Sequence, residues 1–410
     1  ATGSGKTLIM HVNILQYRHY LAKAGKHAML NRVILLTPNE GLSEQHNGEF
    51  KLSSIPADIF NKESGSLYAG QEISIIDIHK LKEEGKEKTV SVDAFESNNL
   101  VLVDEGHRGA GGEEWMDKRN RLCSEGFSFE YSATFGQAMK ASGKKEMLHL
   151  YAKCILFDYS YKYFYGDGYG KEYSILNLAE EQHEEQRQLY LTACLLAFYQ
   201  QLKVYDGKKR ELVPFNVEEP LWVFVGSKVN AVRTERGEKV SDVIDILLFL
   251  KRFLNNRPAT KEFINRLLNG ASQLNDTRGN DLFAGRFDYL IASRMDAADI
   301  YDDVVTRLFN AEVVGAEMHI DNLKGVQGEI GLRLGDGEYF GVINVGDDRE
   351  LIKLCVDNGF IVAERDFSES LFKALAKDDS SVKILIGSKK FTEGWNSWRV
   401  STMGLMNVGR

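Results

Sequence analysis

Cysteine is scarce in this sequence. The 410 residues include four cysteines, and no two of them form a C-x-x-C pair. They stand far apart, at Cys123, Cys154, Cys194 and Cys355. This spacing argues against a structural zinc site and against a disulfide framework. A reducing cytoplasm is therefore the simplest compartment for the protein, and we expect a cytoplasmic location.

Proline, long apolar runs and excess positive charge are scarce as well. Five prolines and no low-complexity tract argue against long disordered linkers. No apolar run reaches about eighteen residues, the length of a membrane-spanning helix, so we expect no membrane contact. The net charge of −8 excludes a chain that is basic overall, so any binding of nucleic-acid phosphates must use local patches.

The composition is sufficient for more than one hydrophobic core. With 410 residues and 43% hydrophobic content, the chain predicts two or three domains. Apolar strands alternate with amphipathic helices along the chain, which predicts an α/β fold with open parallel sheets. We expect a first domain over residues 1–175. It has a helix at residues 7–24 and strands at residues 32–36, 73–78, 100–103 and 127–131.

A second alternating segment follows a helical connector. The connector is expected over residues 176–215, where a Glu- and Gln-rich start gives way to apolar residues. The second domain is expected over residues 216–410, with strands at 221–227, 339–345, 360–362 and 382–387 and helices at 241–254, 348–357 and 368–377. Residues 256–338 have the character of an insertion in this domain. Near its end, Gly335-Asp336-Gly337 separates two apolar stretches and predicts a hairpin turn.

The first seven residues read Ala-Thr-Gly-Ser-Gly-Lys-Thr, the pattern of a phosphate-binding loop. In such a loop, backbone N–H groups at Gly3, Ser4 and Gly5 close around the phosphates of a nucleotide. The Lys6 ammonium reaches the β- and γ-phosphates, and the Thr7 hydroxyl holds Mg²⁺. A simple glycine-rich turn is the alternative for this segment alone.

An acidic pair follows a strongly apolar strand about a hundred residues later. Residues 100–103 are all apolar, and Asp104 and Glu105 come directly after them. A buried parallel strand delivers such residues to its carboxyl end, where ligands bind in sheets of this type. We expect Asp104 to hold Mg²⁺ through water and Glu105 to orient and deprotonate the attacking water. The loop and the acidic strand together predict an ATPase.

The ordered motifs of the chain resemble those of superfamily-two helicases, the DEAD/DEAH-box group. Residues 1–7 are similar to motif I, 37–39 to motif Ia, 104–107 to motif II, 132–134 to motif III, and 391–396 with 399–401 to motif V. Residues 104–109, the insertion and residues 391–401 are most similar to the motor part of type III restriction enzymes, the res subunit. The resemblance implies two RecA-like domains of the P-loop NTPase fold, with ATP between them and nucleic acid across their top.

The resemblance also implies roles for the residues around the nucleotide. His107 would link the ATP site to motif III, and Ser132, Ala133 and Thr134 would couple the γ-phosphate to domain closure. A structural histidine and an ordinary strand-end turn are the alternatives for these positions.

Motif V and the position after the acidic pair depart from the family pattern. Gly394 and Asn396 would contact ATP. Asn396 stands where related sequences often have aspartate, so its contact with ATP or with motif II stays open. Gly106 stands where the family has alanine, and a glycine there is tolerable because the position follows the catalytic pair.

The resemblance implies nucleic-acid contacts for the segment after the predicted strand at residues 32–36 and for motif V. Thr37, Asn39 and Gln45 would touch the nucleic-acid backbone, and Trp395 would stack on bases. An ordinary strand-to-helix loop is the alternative for the first three residues. Packing within its own loop is the alternative for Trp395.

The predicted function is that of an ATP-dependent DNA helicase or translocase motor in a type III restriction-like bacterial defence enzyme. Its cofactors would be ATP and Mg²⁺, and its partners would be duplex or single-stranded DNA and a modification methyltransferase subunit. Two alternatives remain open. One is an RNA helicase or DNA-repair remodeller, and the other is a nucleotide-gated nucleic-acid-binding module that does not translocate.

Two expected parts of this motor do not stand within residues 1–410. The strand that feeds the phosphate loop would precede Ala1, and motif VI, which carries the γ-phosphate arginines, would follow Arg410. An arginine finger contributes roughly three to five orders of magnitude in rate in related phosphoryl-transfer enzymes. We therefore expect residues 1–410 alone to bind nucleotide but to hydrolyse it slowly.

Overall fold

The computed structural model describes residues 3–60, 73–81, 90–106, 113–136, 149, 151–176, 184–226, 233–235, 238–276, 278–346, 348–366, 369–388 and 397–406. The chain divides into two compact units, Ala1–Tyr173 and Ser174–Arg410. Each unit is built around its own β-sheet, and the predicted α/β class is confirmed.

The sheet of the first unit has five parallel strands. In chain order they are β1 (Arg32–Thr37), β2 (Ala57–Ile59), β3 (Ile73–Asp77), β4 (Asn99–Val103) and β5 (Phe127–Glu130). Their spatial order is β2-β3-β1-β4-β5. The central strands β1 and β4 carry almost only apolar residues because helices and loops cover both faces of the sheet.

Strand β1 shows how the two faces are filled. Val33 and Leu35 pack into one hydrophobic core, which also contains Met10. Ile34 and Leu36 pack into a second core on the opposite face. Successive side chains of a strand point to opposite faces, so a run of apolar residues is what a strand buried on both sides requires.

Four described helices accompany this sheet, namely α1 (Lys6–Lys23), α2 (Glu40–Leu52), α3 (Glu113–Leu122) and α4 (Tyr161–Gly166). Helix α1 begins and ends one residue before the predicted bounds of residues 7–24. Helix α2 begins where Asn39 accepts a hydrogen bond from the Leu42 backbone N–H at 2.9 Å. Such a side-chain cap satisfies one of the free N–H groups at a helix start.

The sheet of the second unit has seven strands, and it is mixed rather than parallel. The strands are β6 (Leu221–Gly226), β9 (Met318–Lys324), β10 (Glu329–Leu334), β11 (Gly341–Asn344), β12 (Ile361–Asp366), β13 (Ile384–Ser388) and β14 (Val400–Met406), while β7 (Arg233–Glu235) and β8 (Glu238–Val240) form a separate hairpin. Across the seven-stranded sheet the strands lie in the order β12-β9-β10-β11-β13-β6-β14. Strand β10 runs antiparallel to both neighbours, and the other pairs are parallel.

The reversed strand β10 is the physical reason for this difference from the predicted parallel sheet. The hairpin turn expected at residues 335–337 is present, and it brings Leu332 opposite Gly341 in antiparallel register. Gly335 has a φ of 53°, a left-handed backbone that glycine adopts without steric cost. A short turn of this kind can join only antiparallel strands.

The segment expected as an insertion over residues 256–338 has two different parts. Its first part is helical, with α7 (Arg257–Leu268), α8 (Asp288–Ala292) and α9 (Ala297–Arg307). Its last part, residues 318–334, lies in the sheet as β9 and β10. These two strands extend the sheet, so the segment contributes both helices and sheet strands to the second unit.

The other helices of this unit are α5 (Glu184–Leu212), α6 (Asp242–Asn255), α10 (Arg349–Asp357) and α11 (Leu371–Ala374). Helix α5, which falls within the expected connector, buries Leu195 and Phe198 in the same core as Trp222. It is therefore part of the packing of the second unit. Among the helices of the described ranges, none is both long enough and apolar enough to cross a membrane.

Candidate functional site

The loop before α1 contains two glycines in the left-handed backbone region. Gly3 and Gly5 have φ values of 76° and 83°, in the left-handed region that favours glycine. Gly5 also stands at the start of α1, where the Ile9 N–H donates to its carbonyl at 3.1 Å. The first turn of α1 contains no acidic residue. Backbone N–H groups at such a helix start attract anions such as phosphate.

The structure brings the predicted lysine and the predicted catalytic base together. Nζ of Lys6 lies 3.1 Å from Oε1 of Glu105. Lys6 is the first residue of α1, and Glu105 follows the end of β4 by two positions. Glu105 has a φ of 50°, which is uncommon for a residue other than glycine and places its side chain at the turn after the strand. Sites that bind ligands often contain such strained residues.

Asp104 lies beside this pair and is almost completely buried, at 5% exposure. Its backbone N–H donates to the Leu36 carbonyl at 3.0 Å, which continues the pairing of β4 with β1. Its Oδ1 accepts a hydrogen bond from the Glu105 N–H at 2.9 Å. Its Oδ2 lies 2.9 Å from Nε2 of His46 on α2. Both carboxylate oxygens therefore have fixed partners.

His46 is a residue of this site that the sequence analysis did not identify. It is 3% exposed and lies on the buried face of α2 together with Leu42 and Phe50. The three residues are spaced four apart, which places them on one side of a helix. The sequence does contain a signal for His46. The residue lies on the apolar side of a helix that directly follows a predicted motif.

The oxygen atoms available here fit Mg²⁺. The ion prefers oxygen ligands, and in nucleotide sites it keeps several waters and binds one or two protein groups plus phosphates. The Asp104 carboxylate and the Thr7 hydroxyl are groups of this kind, and Thr7 stands next to Lys6 in the first turn of α1. Within the described ranges no cluster of three or more His, Cys, Asp or Glu side chains is arranged around a possible metal ion. The donor set suits an ion that a nucleotide would share.

Gly106 is more constrained than the sequence suggested. A Cβ atom at this position would lie 3.0 Å from Oε2 and 3.2 Å from Cβ of Glu130, and 3.2 Å from Cζ of Phe135. Glu130 forms an ion pair with Arg119 and accepts a hydrogen bond from the Tyr151 hydroxyl at 2.9 Å. The close neighbour is therefore held in place, and the space at Gly106 fits a glycine.

Residues 132–134, which are expected to couple ATP binding to domain closure, follow the end of β5. This end lies beside the turn that carries Asp104 and Glu105. The Gly106 N–H donates to the Tyr131 carbonyl at 3.0 Å, and the Tyr131 N–H donates to Val103 at 2.9 Å. The Tyr131 hydroxyl accepts a hydrogen bond from Asn13 on α1 at 2.7 Å, and burial raises its pKa to about 12. Ser132, Ala133 and Thr134 come directly after this residue, so they start where α1 and the acidic loop are linked.

The predicted coupling residues form a local turn. The Ser132 hydroxyl accepts a hydrogen bond from the Thr134 N–H at 3.0 Å. Their role in coupling stays a prediction, because this geometry is also that of an ordinary strand-end turn.

The nucleic-acid contacts predicted after β1 stay predictions, and two of the predicted side chains also have partners within the protein. Thr37 is fully buried, and its hydroxyl is 2.6 Å from the Ser43 hydroxyl and 3.4 Å from the Ile76 carbonyl. Asn39 uses its side-chain oxygen to cap α2. These two side chains therefore stabilise the strand-to-helix connection. Gln45 is half-buried on α2, and its contact with nucleic acid stays a prediction.

Several predicted residues lie outside the described ranges, namely His107, Gly394, Trp395 and Asn396. Next to them, Arg399 is buried and donates hydrogen bonds to the carbonyls of Glu219, Leu375 and Val382 at 3.0, 3.2 and 2.7 Å. Arg399, Glu219 and Val382 precede β14, β6 and β13, so they lie at the amino ends of these strands. Ligands of parallel sheets bind at the carboxyl ends, so Arg399 has a structural position.

Comparison with known proteins relates the first unit to a motor family. Residues 1–137 match the family model described as type III restriction enzyme, res subunit. No curated protein matches the chain. The resemblance to this family, which the motifs predicted, is confirmed over these residues, and it supports a helicase-type ATPase motor.

Among solved structures, the chain is similar to the crystal structure of the Pyrococcus furiosus Hef helicase domain. The sequences are 13% identical, and the match covers 98% of this chain and 84% of that chain with a TM-score of 0.34.

Proposed function

We propose that the chain is the motor of an ATP-dependent DNA helicase or translocase, of the kind that serves a type III restriction-like bacterial defence enzyme. The observation that carries the proposal is the meeting of Lys6, Asp104 and Glu105 at one end of β4. All three lie in the segment that matches the res subunit family. A loop shaped for phosphate, a cation that reaches from it and two carboxylates are the parts that phosphoryl transfer needs.

The first step of the reaction is the binding of the ATP phosphates to the loop. The N–H groups at the start of α1 and the Lys6 ammonium take up the negative charge of the phosphates. Lys6 then exchanges the Glu105 carboxylate for phosphate oxygens. Asp104 and Thr7 would hold Mg²⁺, which supplies charge neutralisation at the β- and γ-phosphates when it is bound.

The second step is the attack of water on the γ-phosphate. When Lys6 leaves it, the Glu105 carboxylate is available to accept a proton from the water and to orient its oxygen towards phosphorus. In this proposal, nucleic acid is bound by the segment that contains Thr37, Asn39 and Gln45 and by Trp395. Changes in the nucleotide state then move the motor stepwise along DNA.

The experiment that tests the proposal measures ATP hydrolysis by the full-length protein that contains residues 1–410. Duplex DNA, single-stranded DNA, RNA or no nucleic acid is added, and the Glu105→Gln variant serves as the control. Stimulation by DNA that the variant abolishes would support the motor. Stimulation by RNA alone would favour an RNA helicase, and turnover that does not depend on Glu105 would contradict the proposed mechanism.

A second measurement separates a motor from a nucleotide-gated binding module. Displacement of a third strand from a DNA triplex requires movement along the duplex, whereas a module that only closes on DNA leaves the third strand in place. If the protein binds DNA in an ATP-dependent way but does not displace the third strand, the binding module is the correct function and the translocase proposal is wrong. Co-purification with a methyltransferase subunit would test the proposed defence partner.

A further inference from the structure

The buried contact between His46 and Asp104 joins the acidic pair to a helix that is not part of the phosphate loop. His46 is on α2, whose start is held by the Asn39 cap and by the hydrogen bond between Thr37 and Ser43. Asp104 is at the end of β4. The side chains of His46 and Asp104 are 4% and 7% exposed, so water competes little for their hydrogen bond.

The direction of this hydrogen bond follows from the groups involved. A carboxylate only accepts hydrogen bonds. The N–H group at Nε2 of His46 is therefore the donor, and Oδ2 of Asp104 is the acceptor. The other ring nitrogen, Nδ1, is buried and has no hydrogen-bond partner among the residues that the structure describes. The one hydrogen bond found for the ring is therefore the one from Nε2, which is aimed at a single carboxylate oxygen of Asp104.

The two partners of Asp104 together set the plane of its carboxylate. Oδ1 is held by the Glu105 N–H and Oδ2 by His46, both at 2.9 Å. A carboxylate with one partner can rotate about its Cβ–Cγ bond, whereas one with two opposed partners keeps one orientation. Outer partners of this kind set the orientation of metal-binding side chains, and their loss commonly weakens metal binding 10- to 100-fold.

We propose that His46 is a positioning residue that orients Asp104 towards the Mg²⁺ of the bound nucleotide. The inference rests on the proposed ATPase function, because it assigns Asp104 to that ion. His46 itself touches neither the nucleotide nor the ion in this account. It acts through Asp104 alone.

A purely structural histidine would have a different effect, and His11 provides the matched comparison. His11 is also 3% exposed and lies in the same unit. Its Nδ1 is 2.8 Å from the Ser53 hydroxyl, and its ring stacks on Phe50 with 4.2 Å between ring centres. Replacing it disturbs the core beside α2 without removing a partner of Asp104.

The experiment measures binding of a fluorescent ATP analogue by the 410-residue chain while MgCl₂ is titrated against an EDTA baseline. It does not depend on hydrolysis. His46→Asn and His46→Gln are compared with His11→Leu, with circular dichroism as the check of folding. The glutamine amide reaches the position of Nε2 and can donate to Asp104, whereas the shorter asparagine amide cannot.

We expect His46→Asn to raise the Mg²⁺ concentration for half-maximal binding by about tenfold or more. His46→Gln should stay close to wild type, and His11→Leu should lower the melting temperature without changing the Mg²⁺ response. In an Asp104→Ala background, His46→Asn should cause no further loss, because the carboxylate that His46 orients is already absent.

Two results would overturn the inference in different ways. If wild type responds to Mg²⁺ but His46→Asn responds equally, or no differently from His11→Leu, the positioning role is wrong and the ATPase proposal stands. If wild type binds no nucleotide in the presence of Mg²⁺, the ATPase proposal is wrong and the inference falls with it.

Discussion

The ammonium group of Lys6 and the carboxylate of Glu105 are partners, 3.1 Å apart and each about a quarter exposed or less. Lys6 is expected to hold the phosphates, and Glu105 is expected to activate water. Neither can do so while it is paired with the other. In the proposed mechanism the ion pair would connect the two steps, because a phosphate that arrives at Lys6 would displace the Glu105 carboxylate from the ammonium group.

The first prediction concerns this ion pair. Glu105→Gln should lower the rate of ATP hydrolysis by about 10²- to 10⁴-fold, because the amide cannot accept the proton of the water. Its affinity for ATP should equal or exceed that of wild type, since Lys6 no longer has a charged partner to leave. Steady-state hydrolysis and titration with a fluorescent ATP analogue measure the two quantities. Lys6→Ala, the control, should instead weaken binding.

The second prediction concerns the glycine after the acidic pair. Gly106→Ala should lower the free energy of unfolding by about 1–3 kcal/mol, the usual cost of overpacking, because its Cβ meets Glu130 and Phe135. Gly48→Ala is the control, since Gly48 lies in α2 and an added Cβ meets no atom within 4 Å. This change should stabilise the helix by about 0.5–1 kcal/mol. Urea unfolding followed by circular dichroism compares them, and an equal effect of both would contradict the tight contact.

The third prediction separates structure from chemistry at Arg399. Arg399→Lys should lower the free energy of unfolding by about 2–4 kcal/mol, because one ammonium cannot replace the planar guanidinium at three buried carbonyls. Nucleotide affinity should not change. Urea unfolding and titration with the fluorescent ATP analogue test both parts. A variant with normal stability and weak ATP binding would place Arg399 in the nucleotide site instead.

The fourth prediction is a pH dependence of stability caused by His11. Burial lowers its pKa below the ordinary 6.5, and the charge of His46 adds to this effect while Glu49 opposes it. Below about pH 6.5 the unfolded chain therefore binds a proton that the folded chain does not yet bind, so stability falls as the pH falls through this range. Melting temperatures between about pH 7.5 and 5 should drop more for wild type than for His11→Gln. Parallel curves for the two proteins would show that other groups cause the change.

Much of the first unit could be predicted from local sequence. Residues 100–103 are apolar and bounded by polar residues, so they could form only a strand buried on both sides, and Asp104 and Glu105 had to follow it. The glycines before Lys6 require a backbone that other residues avoid, which is why the loop could be recognised. Such features depend on residues that are close in the sequence.

The features that could not be predicted depend on residues that are distant in the sequence. Whether residues 318–334 leave the sheet or extend it depends on their pairing with β11 and β12, and alternating apolar residues fit either outcome. The burial of Thr37 depends on Ile76, and the role of His46 depends on Asp104, 58 positions later. Local patterns do not contain this information.

The reversed strand β10 also has a consequence for the kinetics of folding. Strands β9, β10 and β11 are neighbours both in the chain and in the sheet, and short turns join them. Strand β6, in contrast, pairs with β13 and β14 from the far end of the chain. Closing a long loop costs more entropy than closing a short turn, and contacts between distant residues slow folding. The three-stranded meander can therefore form early and provide the edge onto which β13, and then β6 and β14, assemble.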